Sequence, residues 1–109
     1  MKPATKSAAA AADIREAAVY YRDEGDAQLA LDFIDSVESA VRHIVTWPAA
    51  GSTRFADILN LPGLRTVSLG RFPFIIFYVE TFDHVDIWRV LHDRRDIPQI
   101  LIENESTLL

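Results

Sequence analysis

Gly70-Arg71-Phe72-Pro73-Phe74-Ile75-Ile76-Phe77-Tyr78-Val79 and, after a short connection, Val85-Asp86-Ile87-Trp88-Arg89-Val90-Leu91-His92-Asp93-Arg94-Arg95-Asp96-Ile97-Pro98 decide the fold of this chain. The first run is a long central strand from Phe72 or Pro73 to Glu80, apolar on both faces. Phe74, Ile76 and Tyr78 point one way, while Ile75, Phe77 and Val79 point the other. The second run, Val85 to His92, is a strand that carries an Arg and a His, then empties into alternating charges stopped by Ile97-Pro98. Thr81 to His84 turns between them, so the two strands form a hairpin. A bare hairpin has no need of a charge cluster at its exit, nor of two apolar faces. One helix layer covers one face of a sheet only. The second face therefore needs cover either from the chain's own Ile97 to Ile102 or from an apolar helix of a partner protein.

Upstream, the pattern is helical. Ser7 is placed as an N-cap, and Ala10, Ile14, Ala17 and Tyr21 recur on one face of a helix that runs to about Glu24 and ends at Gly25. Asp26 caps a second helix whose inner face is Leu29, Phe33, Val37, Ala40, Ile44 and Trp47, with Asp32, Asp35, Glu38 and Arg42 outward, and Pro48 stops it. So short a break makes the two helices an antiparallel hairpin. Ala49 to Gly63 shows no sustained period and reads as an irregular connection. Arg65 to Leu69 alternates as a further strand, Gly70-Arg71 turns, and Lys2 to Ser7 offers one more strand at the sheet edge. The expected fold class is α+β, an N-terminal antiparallel helix hairpin packed on a small antiparallel β-sheet, in a single domain over residues 1–109.

Half of the 109 residues are hydrophobic, and sixteen acids against eleven bases give a net charge of -5. Both halves are acidic, with eight acids to five bases before Thr53 and eight to six after it. A protein that grips many phosphates shows the opposite sign somewhere, so direct nucleic-acid binding is not expected. The absence of cysteine removes disulfides, thiolate nucleophiles and thiolate zinc sites, and fits a reducing cytoplasm. The alanine run near the N-terminus lacks the leucine-rich core of a secretory signal, and Phe72 to Val79 is too short to span a bilayer, so no membrane partner is expected.

His43, His84 and His92 show no metal-ligand spacing, serines sit outside any nucleophile elbow, and no glycine-rich loop precedes a helix. Neither metal nor cofactor is expected. What remains is a cationic constellation: Arg65, Arg71, Arg89, His92, Arg94 and Arg95. Asp86, Asp93 and Asp96 lie close enough in sequence to pair with several of these as solvated ion pairs of small weight. Arg89, inside a strand between Trp88 and Val90, is either hydrogen-bonded within the fold or poised at a recognition surface. Phosphodiester chemistry needs a base, an acid and a cationic stabiliser. His92 and Arg94 supply two of the three, and no third group stands out, so no catalytic residue is assigned.

The frame Ala-Asp-Ile-Arg-Glu-Ala-Ala-Val-Tyr-Tyr (12 to 21), Leu-Ala-Leu-Asp-Phe-Ile-Asp-Ser-Val-Glu (29 to 38), Trp-Pro-Ala-Ala-Gly-Ser (47 to 52), Pro-Gly-Leu-Arg (62 to 65), Gly-Arg-Phe-Pro-Phe (70 to 74) and Arg-Val-Leu-His-Asp-Arg-Arg-Asp-Ile-Pro (89 to 98) resembles the toxins of the RelE/ParE superfamily, ParE branch. The resemblance implies the toxin of a type II toxin–antitoxin pair. It implies neutralisation in a hetero-oligomer by a ParD-like antitoxin, with a ribbon-helix-helix half and a C-terminal half that wraps the toxin. ParE-branch members are known for poisoning DNA gyrase, whereas RelE-branch members cut mRNA on the ribosome. Ribosome-dependent members are strongly basic and place an arginine at the start of the central strand. Here that strand begins Phe72-Pro73-Phe74, the protein is acidic, and the tail after Pro98 has neither base nor tyrosine. The expected target is therefore gyrase or another topoisomerase, with an endoribonuclease of RelE type as the alternative. Trp88, Arg89, His92, Arg94 and Arg95 are the expected target-binding residues, and Arg71, Phe74, Arg89 and Arg95 the expected antitoxin-binding ones.

Overall fold

The computed structural model describes residues 1–95 together with Ile97 and Leu101. Along the chain run β1 (Ala4–Lys6), α1 (Ala8–Glu24), α2 (Ala27–Thr46), a 3-10 turn (Pro48–Ala50), α3 (Arg54–Leu59), β2 (Leu64–Ser68), β3 (Phe74–Glu80) and β4 (Val85–His92). Both long helices begin where the sequence places caps. Ser7 Oγ accepts from the Ala10 N–H at 3.0 Å, and Asp26 Oδ1 accepts from the Leu29 N–H at 2.8 Å. The α1–α2 corner is tight enough that a Cβ on Gly25 would meet the Leu29 side chain and the Tyr21 carbonyl.

The sheet order is β1-β4-β3-β2. β2, β3 and β4 form the expected antiparallel meander, while β1 joins the outer edge of β4 in parallel, so the sheet is mixed. The two faces of β3 divide as its alternation predicts. Ile76 and Tyr78 join Phe33, Val37, Ile44, Phe72, Val85, Ile87 and Val90 in the core beneath the helix hairpin, with Phe74 packed against it. Phe77 goes to the opposite face with Phe55, Leu64, Leu91, Ile97 and Leu101, flanked by Ile75, Val79 and Trp88.

Two expectations are corrected here, on Ala49 to Gly63 and on Trp47, and the open choice of cover for the second sheet face falls to the chain's own residues. Ala49 to Gly63 is not irregular throughout, because it holds the 3-10 turn and α3, and α3 covers the second sheet face. Phe55, Ile97 and Leu101 are all buried there, so that cover belongs to the chain itself and no partner helix is needed for it. Each large apolar side chain so buried contributes about 1.5–3 kcal/mol. The other members of Ile97 to Ile102 lie outside the described residues. Trp47, assigned to the inner face of the second helix, is instead its C-cap and is 62% exposed. Pro48 disfavours helical backbone at the residue before it, and so rotates the indole off the apolar stripe.

β4 carries one residue too many for its partner. Phe77 pairs with Arg89 and Tyr78 with Ile87, which leaves Trp88 as the extra residue of a β-bulge. The alternation shifts accordingly: Val85 and Ile87 face the helix-side core, and next Val90 does. Among the described residues no helix is long and apolar enough to cross a membrane.

Candidate functional site

β1 is only three residues long, so beyond Ile87 the outer edge of β4 needs other partners for its backbone. α1 supplies them. Ser7 donates its N–H to the Ile87 carbonyl at 3.0 Å and its hydroxyl to the Trp88 carbonyl at 2.7 Å. Asp13 Oδ2 accepts from the Val90 N–H at 3.0 Å. The same carboxylate takes a two-pronged contact from Arg89, Nε and Nη2 each at 2.8 Å. Both side chains are largely buried, 17% exposed for Arg89 and 9% for Asp13. Arg89 is thus committed to the fold at the bulge, the first of the two readings its position allowed.

With α1 pinned to β4, a groove of about 470 Å³ opens between the helix and the strand ends. Asp13, Glu16, Ala17, Tyr20 and Tyr21 form the helix wall, Pro73 and Phe74 the start of β3, and Val90, Leu91, His92, Arg94 and Arg95 the exit of β4. An aromatic cluster sets the floor. Tyr21 packs on Phe72 with centroids 5.0 Å apart, and Phe33 meets Phe74 at 5.1 Å. Burial raises the Tyr21 hydroxyl pKa, helped by its neighbour Tyr20.

Phe74 pairs with His92 across the two strands, ring edge to face at 5.3 Å. The chain then turns tightly: Asp93 N–H donates to Pro73 O, Arg94 N–H to His92 Nδ1 at 3.1 Å, and Arg95 N–H to His92 O. His92 Nδ1 thus accepts from the Arg94 N–H, with the Asp93 carboxylate 3.4 Å away. The turn leaves the Arg94 and Arg95 side chains exposed, and among the described residues neither guanidinium has an acidic partner.

Of the residues singled out in the sequence, the fold brings Phe74, His92, Arg94 and Arg95 to one groove. It does not bring the others. Trp88 is half-buried against the second-face core, away from the groove. Arg71 lies in the β2–β3 turn, over the Phe72 ring and 3.3 Å from Asp32. Arg65 donates to the Gly51 carbonyl at 2.9 Å. Asp96 and Pro98 fall outside the described residues. Asp13, Glu16 and Tyr20 went unnoticed in the sequence, yet they recur at i, i+3 and i+7 beside the apolar stripe of α1. That spacing was the available signal. Chemically, the groove offers two exposed cations above an aromatic floor, with a carboxylate wall opposite.

A family model described as the ParE toxin of type II toxin–antitoxin systems, parDE, matches residues 6–97. No curated protein matches the chain. Among solved structures, the chromosomal ParDE toxin–antitoxin system from P. aeruginosa has a chain similar to this one with a TM-score of 0.71. The identity is 23%, and the match covers 84% of this chain and 96% of that one. At that identity the likeness shows a shared fold.

Proposed function

The chain belongs to the ParE toxin family, and from that premise we propose that it arrests growth by binding DNA gyrase or another topoisomerase, and that a ParD-like antitoxin neutralises it by occupying the groove beside β4. The observation that carries this reading is the pair Arg94 and Arg95, free of acidic partners among the described residues, at the rim of an aromatic-floored groove. Arginine and aromatic side chains in one concave patch are typical of binding hot spots. A toxin of this kind needs no acid–base pair. It needs a fixed surface that favours one state of its target, since binding shifts an equilibrium only through differential affinity.

On this reading Phe74, His92, Arg94 and Arg95 touch the partner, and Arg89 braces α1 against β4 through Asp13. Arg71, whose side chain is 62% exposed, is a second point at which an antitoxin carboxylate competes with Asp32. The test is a supercoiling assay with purified gyrase, together with mRNA integrity in arrested cells. Inhibition of supercoiling that is lost with Arg95→Ala supports the reading, and unaffected gyrase counts against it. The endoribonuclease alternative has one observation of its own, since Glu16 lines the same groove as His92 and supplies the missing third group. Codon-spaced mRNA cleavage abolished by His92→Ala selects that alternative.

A further inference from the structure

The groove beside β4 carries one carboxylate that no contact of the fold uses. Asp13 is committed, since its two oxygens hold Arg89 and the Val90 N–H. Glu16 lines the same wall one turn further along α1, is exposed, and makes no side-chain hydrogen bond or ion pair among the described residues. On the other wall, Arg94 and Arg95 have no acidic partner among those residues either. Uncompensated charges of opposite sign thus stand on the two walls, with the Tyr21 and Phe74 rings on the floor.

In the open groove water solvates all three charges. A partner that seats apolar side chains on the aromatic floor strips that water away, and a charge left unpaired beneath it is costly. The occupant that escapes the cost brings a base to Glu16 and acids to Arg94 and Arg95. A nucleic acid meets the two arginines but is repelled at Glu16, and a chain of net charge -5 adds no attraction for phosphates. A second copy carries both signs of charge, yet it presents the same concave face, and two hollows cannot fill each other to the packing density of a specific interface. A convex polypeptide segment of mixed charge fits both demands. On the reading that an antitoxin segment occupies this groove, we infer that Glu16 is a specificity-determining residue, paired with a lysine or arginine of that segment while acidic side chains of the segment meet Arg94 and Arg95. The same pattern fixes the direction of the segment. Turned end for end with its apolar face still on the floor, it sets its base against the arginines and its acids against Glu16, a like-charge arrangement that rejects the reversed pose.

The test is surface plasmon resonance of a ParD-like antitoxin on the full chain and its variants. Glu16→Lys is expected to weaken binding by about tenfold, between the small effect of an exposed pair and the large one of a buried pair. Glu24→Lys makes the same change of charge on an exposed position of α1 outside the groove and leaves binding unchanged. Tm is unchanged in both variants. Reversal of one Lys or Arg of the antitoxin to Glu is expected to weaken binding to the wild type and to restore binding to Glu16→Lys, the coupling that a double-mutant cycle isolates. Arg94→Ala/Arg95→Ala, measured in the same series, separates this inference from the reading beneath it. If that variant weakens binding while Glu16→Lys matches the Glu24 control, or if no single reversal in the antitoxin rescues Glu16→Lys, the role of Glu16 is overturned and the groove keeps its partner. If neither variant changes binding, both fall.

Discussion

The charge inside the last strand is explained residue by residue at Asp13. One carboxylate satisfies the Val90 N–H on an edge that β1 is too short to cover, and it holds both nitrogens of Arg89 presented to it. Asp13→Ala removes both contacts in a largely buried setting, so a loss of about 3 kcal/mol is expected in urea unfolding, whereas Asp13→Asn keeps an acceptor for Val90 and costs less. A change below about 0.5 kcal/mol, the range of an ordinary surface substitution, would show that the pair anchors nothing. Tyr78 makes a similar tie on the other side of the molecule. Its hydroxyl donates to the Pro48 carbonyl at 2.6 Å, across Gly51, where a Cβ would overlap the Tyr78 hydroxyl. Burial raises the Tyr78 pKa, partly offset by the Gly51 backbone and Arg65. A folded-state pKa above the unfolded value means a contribution fully present below about pH 10 and lost as pH rises through the folded value. Tyr78→Phe is expected to lower stability by about 1 kcal/mol at neutral pH and to flatten the alkaline decline. A decline equally steep in the variant would assign it to other groups.

At the scale of elements, α3 decides whether the second sheet face is finished within the chain. Phe55 packs on Phe77 with centroids 5.2 Å apart and is the largest side chain that α3 contributes to that core. Phe55→Ala is expected to cost about 3–5 kcal/mol and to raise binding of a hydrophobic dye. A loss under about 1 kcal/mol would mean that the face is held mainly by Ile97 and Leu101. The sequence did not disclose this helix, for physical reasons. Six residues are under two turns, too few for a period to emerge, and Thr53 makes no side-chain capping bond that would mark its start. α1 and α2, at 17 and 20 residues with capping side chains, were legible for the opposite reason. The bulge at Trp88 was equally hidden, because register belongs to a pair of strands and not to either one. Next to it, Arg89 is tied to α1 through Asp13. Phe74, His92, Arg94 and Arg95 were readable as chemistry at a strand start and a strand exit. Asp13, Glu16 and Tyr20 were not, since they lie on a helix flank that periodicity assigns to solvent.

For the molecule as a whole, the informative contrast is between a net charge of -5 and a groove whose rim bears two exposed arginines. Long-range attraction for an acidic partner is absent, so the proposed recognition rests on contacts made inside the groove and not on the field of the protein. An exposed ion pair is worth less than about 1 kcal/mol, but a partner that seats apolar side chains on Tyr21 and Phe74 expels water from around Arg94 and Arg95 and strengthens both pairs. The double variant Arg94→Ala/Arg95→Ala is therefore expected to weaken antitoxin binding by about 2 kcal/mol, roughly thirtyfold, chiefly through faster dissociation. Tm should stay unchanged, since neither guanidinium has an acidic partner among the described residues. Surface plasmon resonance against a ParD-like antitoxin measures it, with Arg42→Ala, an exposed arginine on α2, as the control. Phe74→Ala in the same assay separates the apolar part from the charged part, because it removes the floor while leaving both cations in place. If the double variant binds as tightly as the Arg42 control, the antitoxin docks elsewhere and the groove loses its assigned partner.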